Sequence, residues 1–151
     1  MSNTQSMGGD FVTVRLAGQL LGIPVLRVHD VFNLGPLTRV PRAPSMVAGV
    51  MNLRGRIVTV IDLRKRLGLP AREAKAKAMC LVVEQGGQPY ALIVDTVGDV
   101  VPVSTDRHEP NPTTLSTAWR LVSDGVYRLD EELMMVLDIA ALLDVELARA
   151  A

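Results

Sequence analysis

Laid along itself, the chain matches residues 49–69 to residues 125–145 without a gap. Identities fall at Gly49/Gly125, Val50/Val126, Leu53/Leu129, Val60/Val136, Asp62/Asp138 and Leu67/Leu143, with apolar matches at Ile57/Leu133, Ile61/Leu137 and Leu63/Ile139. A repeat restricts the fold strongly, because both copies must follow one local plan. Upstream, Val25, Val28, Asp30 and Val31 pair with Val94, Val97, Asp99 and Val100 at a slightly different offset. Each copy spans roughly 60 to 70 residues, a size at which a lone domain is marginal, so two units are expected to share a core.

Each unit reads as strand, turn, strand and short helix. Residues 11–16 alternate apolar with polar side chains, stop at Ala17-Gly18 and resume over residues 20–25, as a hairpin does. Valine-rich runs such as Ile57-Val58-Thr59-Val60-Ile61 and Leu81-Val82-Val83 suit strands. The turn at Arg54-Gly55 lies between two such runs, and Gly55 supplies the positive φ that a tight turn often needs. Asp62 and Asp138 each stand before a helix-permissive stretch, where a carboxylate accepts orphan N–H groups. Gly68 suits the residue just past the first of these helices, with Pro70 soon after. Ser45 is expected to cap a further short helix over residues 46–48. The expected organisation is a flexible tail over residues 1–10, a first β unit over 11–70, a charged connection over 71–77 and a second β unit over 78–151. Exchange of strands between the units stays open. Residues 104–118, with Pro110 and Pro112, read as the longest irregular loop.

The side chains argue against catalysis. His29 lies in a valine-rich stretch and His108 in the polar loop, and neither accompanies a nucleophile motif or a phosphate-binding glycine loop. Glu131 and Glu132 read as a solvated hairpin tip. No catalytic residue, metal site or cofactor is therefore expected. The lone Cys80 sits in an apolar strand with no metal-ligand spacing to either histidine, so it is expected to be buried and inert. No apolar run approaches the roughly 18 residues of a membrane helix, and the first nine residues lack a signal-peptide pattern, so a cytoplasmic location is expected.

The formal net charge is zero, yet residues 1–77 hold 12 Lys or Arg against 4 Asp or Glu, while residues 78–151 hold 4 against 12. Such asymmetry fits contact between the halves, charge-complementary binding to other proteins, a nucleic-acid patch, or merely solvated charges. A nucleic-acid face would use Arg39, Arg42, Arg54, Arg56, Arg64, Lys65 and Arg66, but Phe11 and Phe32, the aromatics of that half, both have apolar neighbours. No nucleic-acid partner is expected, and an SH3-like nucleic-acid-binding module is kept as the alternative.

Residues 47–64, Val-Ala-Gly-Val-Met-Asn-Leu-Arg-Gly-Arg-Ile-Val-Thr-Val-Ile-Asp-Leu-Arg, closely resemble the CheW family pattern of Gly-Val-x-Asn-Leu-Arg-Gly, an apolar run and Asp-Leu-Arg. The resemblance extends through Leu21-Gly22-Ile23, Val28-His29-Asp30-Val31 and residues 94–100, and covers nearly everything after Asp10. It implies a mainly β fold of two tandem SH3-like five-stranded β-barrels with short helices, packed across a hydrophobic seam. It also implies an adaptor that binds the cytoplasmic hairpin tip of chemoreceptors and the regulatory domain of a CheA-type histidine kinase. Such an adaptor reaches membrane arrays through its partners, without inserting into the membrane itself, and self-association is compatible with it. Carried over by position, Val28, Asp30, Gly49 and Arg54 answer to receptor-binding positions. Glu109, Pro110 and Thr114 answer to a kinase and ring contact that in the family often begins with Arg, and Glu109 reverses that charge.

Overall fold

Several central strands are buried on both faces, which explains their continuous apolar runs. The computed structural model describes residues 9–144. The strands are β1 Gly9–Leu16, β2 Gln19–Pro24, β3 Val28–Asn33, β4 Val47–Leu53, β5 Arg56–Asp62, β6 Met79–Gln85, β7 Gln88–Val94, β8 Thr96–Val103, β9 His108–Glu109, β10 Ser123–Arg128 and β11 Leu133–Leu137. Three short helices, α1 Leu63–Arg66, α2 Thr117–Val122 and α3 Ile139–Leu142, stand beside them, with 3-10 turns at Val25–Arg27 and Thr105–Arg107.

The fold is mainly β, with one sheet ordered β8-β1-β2-β11-β10-β9 and another ordered β3-β6-β7-β5-β4. Neither sheet corresponds to one sequence repeat. The hairpin β1–β2 of the first unit lies between β8 and β11 of the second, and the hairpin β6–β7 of the second lies between β3 and β5 of the first. The two crossover contacts are equivalent, since β2 pairs in parallel with β11 and β7 pairs in parallel with β5. Strands are thus exchanged symmetrically. In space the five-stranded unit is the continuous segment 28–94, inserted into a six-stranded unit built from residues 9–24 and 96–137.

Side-chain alternation divides the core into three parts. Along β6, Cys80 and Val82 point into the five-stranded unit, whereas Leu81 and Val83 enter the seam between the units. Along β11, Met134 and Val136 fill the six-stranded unit with Phe11 and Tyr127, whereas Met135 and Leu137 enter the same seam. Burial pushes the Cys80 thiol up to about 11, so it stays protonated at neutral pH.

The helices close the seam. Asp62 caps α1 by accepting from the N–H groups of Arg64 (3.0 Å) and Lys65 (3.4 Å), and Asp138 caps α3 by accepting from Ala141 N–H at 3.2 Å. Gly68, at φ 72°, follows α1, with Gly68 N–H donating to Lys65 O (3.4 Å) and Leu69 N–H to Arg64 O (2.7 Å). This is a Schellman ending. The buried Arg66 donates through Nε to Leu142 O (2.9 Å) and through Nη2 to Ala141 O (3.1 Å), tying α1 to the carbonyl end of α3.

Three local expectations change. Ser45 and Met46 form a turn, and β4 begins at Val47, so no helix spans 46–48. Arg42 at φ 64° and the flanking Pro41 and Pro44 leave room for a single turn, closed by Val47 N–H to Pro44 O at 2.9 Å. In the second repeat the equivalent place before β10 holds α2, capped by Ser116 and free of proline. The region 104–118 is less irregular than expected, because it carries a 3-10 turn, the short strand β9 and the start of α2. Gly9 and Asp10 belong to β1 rather than to a tail. Residues 1–8 of that expected tail, and residues 145–151 of the second unit with the last repeat position, lie outside the described residues.

Candidate functional site

The β4–β5 connection is a two-residue turn in which both Arg54 (φ 52°) and Gly55 (φ 86°) are left-handed. That conformation matches the twist of the strands but is uncommon for a residue bearing a side chain. Asn52 supports it, its Oδ1 accepting from Gly55 N–H at 3.0 Å. The guanidinium of Arg54 is held out at the tip, 75% exposed, and pairs with Asp30 of β3. The hydrogen bond from Arg54 and a second from Val31 N–H hold the Asp30 carboxyl below the usual carboxylate range. A fixed ion pair thus joins the basic turn to the β3 edge of the five-stranded sheet.

The other two residues of that set serve different positions. Val28 is half-buried and packs on the seam core. Gly49 is buried near the opposite end of β4 from Arg54, beneath the segment that follows β3. Thr38 and Val50 exchange two backbone hydrogen bonds there (3.0 and 2.8 Å), and a Cβ on Gly49 would lie 2.6 Å from Thr38 O. Glu109, Pro110 and Thr114 lie apart on the six-stranded unit. Glu109 pairs with Arg128, while Pro110 and Thr114 are exposed.

The structure adds apolar surface that the sequence conceals. Leu26 is 91% exposed two residues before Val28, and Ile57 is 62% exposed at the start of β5, three residues after Arg54. Each looks like a core residue in sequence, but Leu26 lies in the 3-10 turn between β2 and β3 and Ile57 stands just past the Arg54-Gly55 tip, and periodicity does not reveal which apolar residues near a turn stay uncovered. Trp119, Leu115, Leu69, Met135 and Leu16 help line an apolar hollow of about 280 Å³ between α2 and the six-stranded sheet.

The charge asymmetry is partly consumed internally. Arg15 makes a bidentate pair with Glu132 (2.6 and 2.8 Å), Arg56 pairs with Glu84 (3.2 Å) and Arg64 pairs with Asp95 (2.9 Å). Each of these joins a cation of the first half to a carboxylate of the second. Of the basic residues considered for nucleic acid, Arg54, Arg56 and Arg64 are therefore neutralised locally and Arg66 is buried, which breaks up the positive face. Among the described residues no group of three His, Cys, Asp or Glu side chains could hold a metal ion, and no helix is long and apolar enough to cross a membrane.

Comparison with known proteins places this arrangement. Residues 10–147 match the CheW-like domain family. The chain is 27% identical over 144 residues to the chemotaxis protein CheW of Rhizobium meliloti, covering 95% of this chain and 93% of the relative. It is 30% identical over 126 residues to the chemotaxis protein CheW of Thermotoga maritima, covering 83% and 82% respectively. Among solved structures it is similar to the scaffolding protein TtCheW from Thermoanaerobacter tengcongensis, with a TM-score of 0.83, 32% identity and coverage of 93% of this chain and 96% of that one. The chain belongs to the CheW-like domain family.

Proposed function

We propose that this protein is a non-catalytic chemotaxis adaptor that couples a chemoreceptor to a CheA-type histidine kinase in the cytoplasm, reaching membrane arrays through those partners. The observation that carries this reading is the Arg54-Asp30 pair, fixed on a tight turn of a CheW-like fold and flanked in sequence by exposed Ile57 and Leu26. An exposed arginine beside apolar side chains has the make-up of an interface hot spot. The receptor hairpin tip would engage this face, with Val28 and Gly49 holding its backbone in place. The kinase or ring neighbour would engage the six-stranded unit around Glu109, Pro110 and Thr114. Since Glu109 already pairs with Arg128, a partner cation there competes with an internal one. The whole reading works by association and needs no bond-making step.

The test is a pull-down of a receptor cytoplasmic fragment and a CheA-type kinase by the intact chain. Both are expected to be retained together, and Arg54→Ala is expected to weaken receptor retention about tenfold while lowering stability by no more than about 1 kcal/mol, because the ion pair it gives up is largely exposed and alanine meets the same left-handed backbone that arginine does. Equal receptor retention by the folded variant removes Arg54 from the interface. Retention of neither partner by the wild type overturns the adaptor reading.

A further inference from the structure

Of the cations of the basic half that escape the internal pairing described above, three stand together. Arg39, Arg42 and Lys65 are exposed and have no ion-pair partner among the described residues. All three line one cleft of about 630 Å³, formed by the loop before β4 and the start of α1. Asp62 also lines it, but its Oδ1 is engaged by the N–H groups of Arg64 and Lys65. Val40, Pro41 and Pro44 supply an apolar shelf between the charges.

The backbone beneath the cleft is unusual. Arg42 stands at φ 64°, in a region where a residue with a side chain is uncommon and where Asn, Asp or Gly would sit more easily. Left-handed non-glycine residues persist where the surroundings hold them, and they concentrate at functional sites. Pro41 and Pro44 bracket this one and stiffen the loop, so the guanidinium of Arg42 is presented with little further loss of chain freedom.

We propose that this cleft is a second docking site, which takes an acidic segment of a partner protein. Two guanidinium groups and an ammonium match clustered Asp or Glu carboxylates, and the prolines and Val40 accept the apolar side chains between them. The cleft is open along one side, so it would leave a small ligand largely in water, whereas a chain segment can lie along it. No stacking aromatic lines it, which disfavours single-stranded nucleic acid. It sits at the Val47 end of β4, and Arg54 lies beyond the Leu53 end, about 20 Å away at roughly 3.3 Å per residue. Occupancy of the cleft is therefore compatible with occupancy of the Arg54-Asp30 face.

The test uses the full chain and fluorescence anisotropy with three labelled probes: a peptide alternating Glu and Gly, the same peptide with Gln in place of Glu, and a single-stranded oligonucleotide of equal charge. The Glu peptide is expected to bind at low salt at least about tenfold more tightly than the other two probes. Arg39→Ala combined with Arg42→Gly is expected to weaken Glu-peptide binding about tenfold or more, while Arg56→Ala, on a locally paired cation, changes it less than about twofold. Arg42→Gly alone keeps the fold in hand, because glycine adopts this φ without strain, and its melting temperature is expected to equal or exceed that of the wild type. The proposal fails if the Glu peptide does not bind up to about 1 mM, if the Gln peptide binds equally, or if the double substitution leaves affinity unchanged. Tighter oligonucleotide binding that is lost with the same substitutions also overturns it, in favour of a nucleic-acid site.

Discussion

The two repeats follow one plan and differ where they meet their surroundings. β4, β5 and α1 correspond to β10, β11 and α3, and the capping aspartates take nearly the same backbone angles, φ −87° and ψ 101° at Asp62 against φ −89° and ψ 103° at Asp138. Even the tie before each cap recurs, since Asp62 N–H donates to Met46 O and Asp138 N–H to Val122 O, both at 2.8 Å. The turns do not correspond. The first is the two-residue Arg54-Gly55, with its cation exposed. The second, over residues 129–132, is longer and acidic and is tied back through Glu132 to Arg15 and through Asp130 to Arg107. What recurs is the scaffold, and what does not recur marks surfaces free to specialise.

The glycines offer the sharpest test of that equivalence. A Cβ on Gly49 would meet the backbone oxygen of Thr38 at 2.6 Å, while a Cβ on Gly125, at φ 102°, would meet Nε2 of His108 at 2.3 Å. Both Gly49→Ala and Gly125→Ala are expected to destabilise the fold by about 1–3 kcal/mol in denaturant unfolding. The rescues should differ. Adding His108→Ala to Gly125→Ala removes the obstructing ring and should recover part of the loss, whereas adding Thr38→Ala to Gly49→Ala should recover nothing, because the obstructing atom is backbone. Equal rescue at both sites would show that Thr38 moves as freely as a side chain.

The caps give a smaller contrast. Asp62→Ala is expected to cost about 1 kcal/mol and Asp138→Ala somewhat less, since the first carboxylate accepts from two N–H groups and the second from one. Thermal unfolding of the two variants side by side would check the order, and a larger loss at Asp138 would reverse it.

The smallest expected effect concerns Asp124, whose counterpart is the neutral Ala48. Burial, reinforced by Asp138 and opposed by His108, raises the Asp124 carboxyl above its ordinary range. A carboxyl raised in the folded state contributes stability that is complete below its unfolded value, about 4, and is lost as pH rises through the folded value. Asp124→Asn is therefore expected to stabilise the protein at neutral pH by less than about 1 kcal/mol and to give no gain below about pH 4. Melting measured across that range decides it, and a variant less stable than the wild type at pH 7 would mean that the charge serves the fold.

Much of the architecture was legible in the residues. The repeat, the apolar runs, the Ala17-Gly18 and Arg54-Gly55 turns and the placing of Asp62 before a helix are local patterns, and local backbone chemistry decides them. The turn at Ser45 and Met46 was not legible, because its outcome depended on the left-handed Arg42 and on strand pairing that begins at Val47. The site was readable only in part. Arg54 stood out as an unrepeated basic turn, but its pairing with Asp30, 24 positions away, needed β3 and the turn to be brought together.

By itself, the sequence determined that this protein is built from two copies of a small β unit with capped helices, because periodicity, turn residues and caps act within a few positions of one another. Tertiary structure alone decided that the copies exchange hairpins, so that β1–β2 completes the second unit and β6–β7 the first. It also decided that Leu26 and Ile57 face outward and that Arg39, Arg42 and Lys65 share one cleft. The reason is physical. A strand's backbone groups can be satisfied by any correctly oriented edge, and which edge is present, like which side chains it leaves uncovered, depends on chain segments far away in sequence.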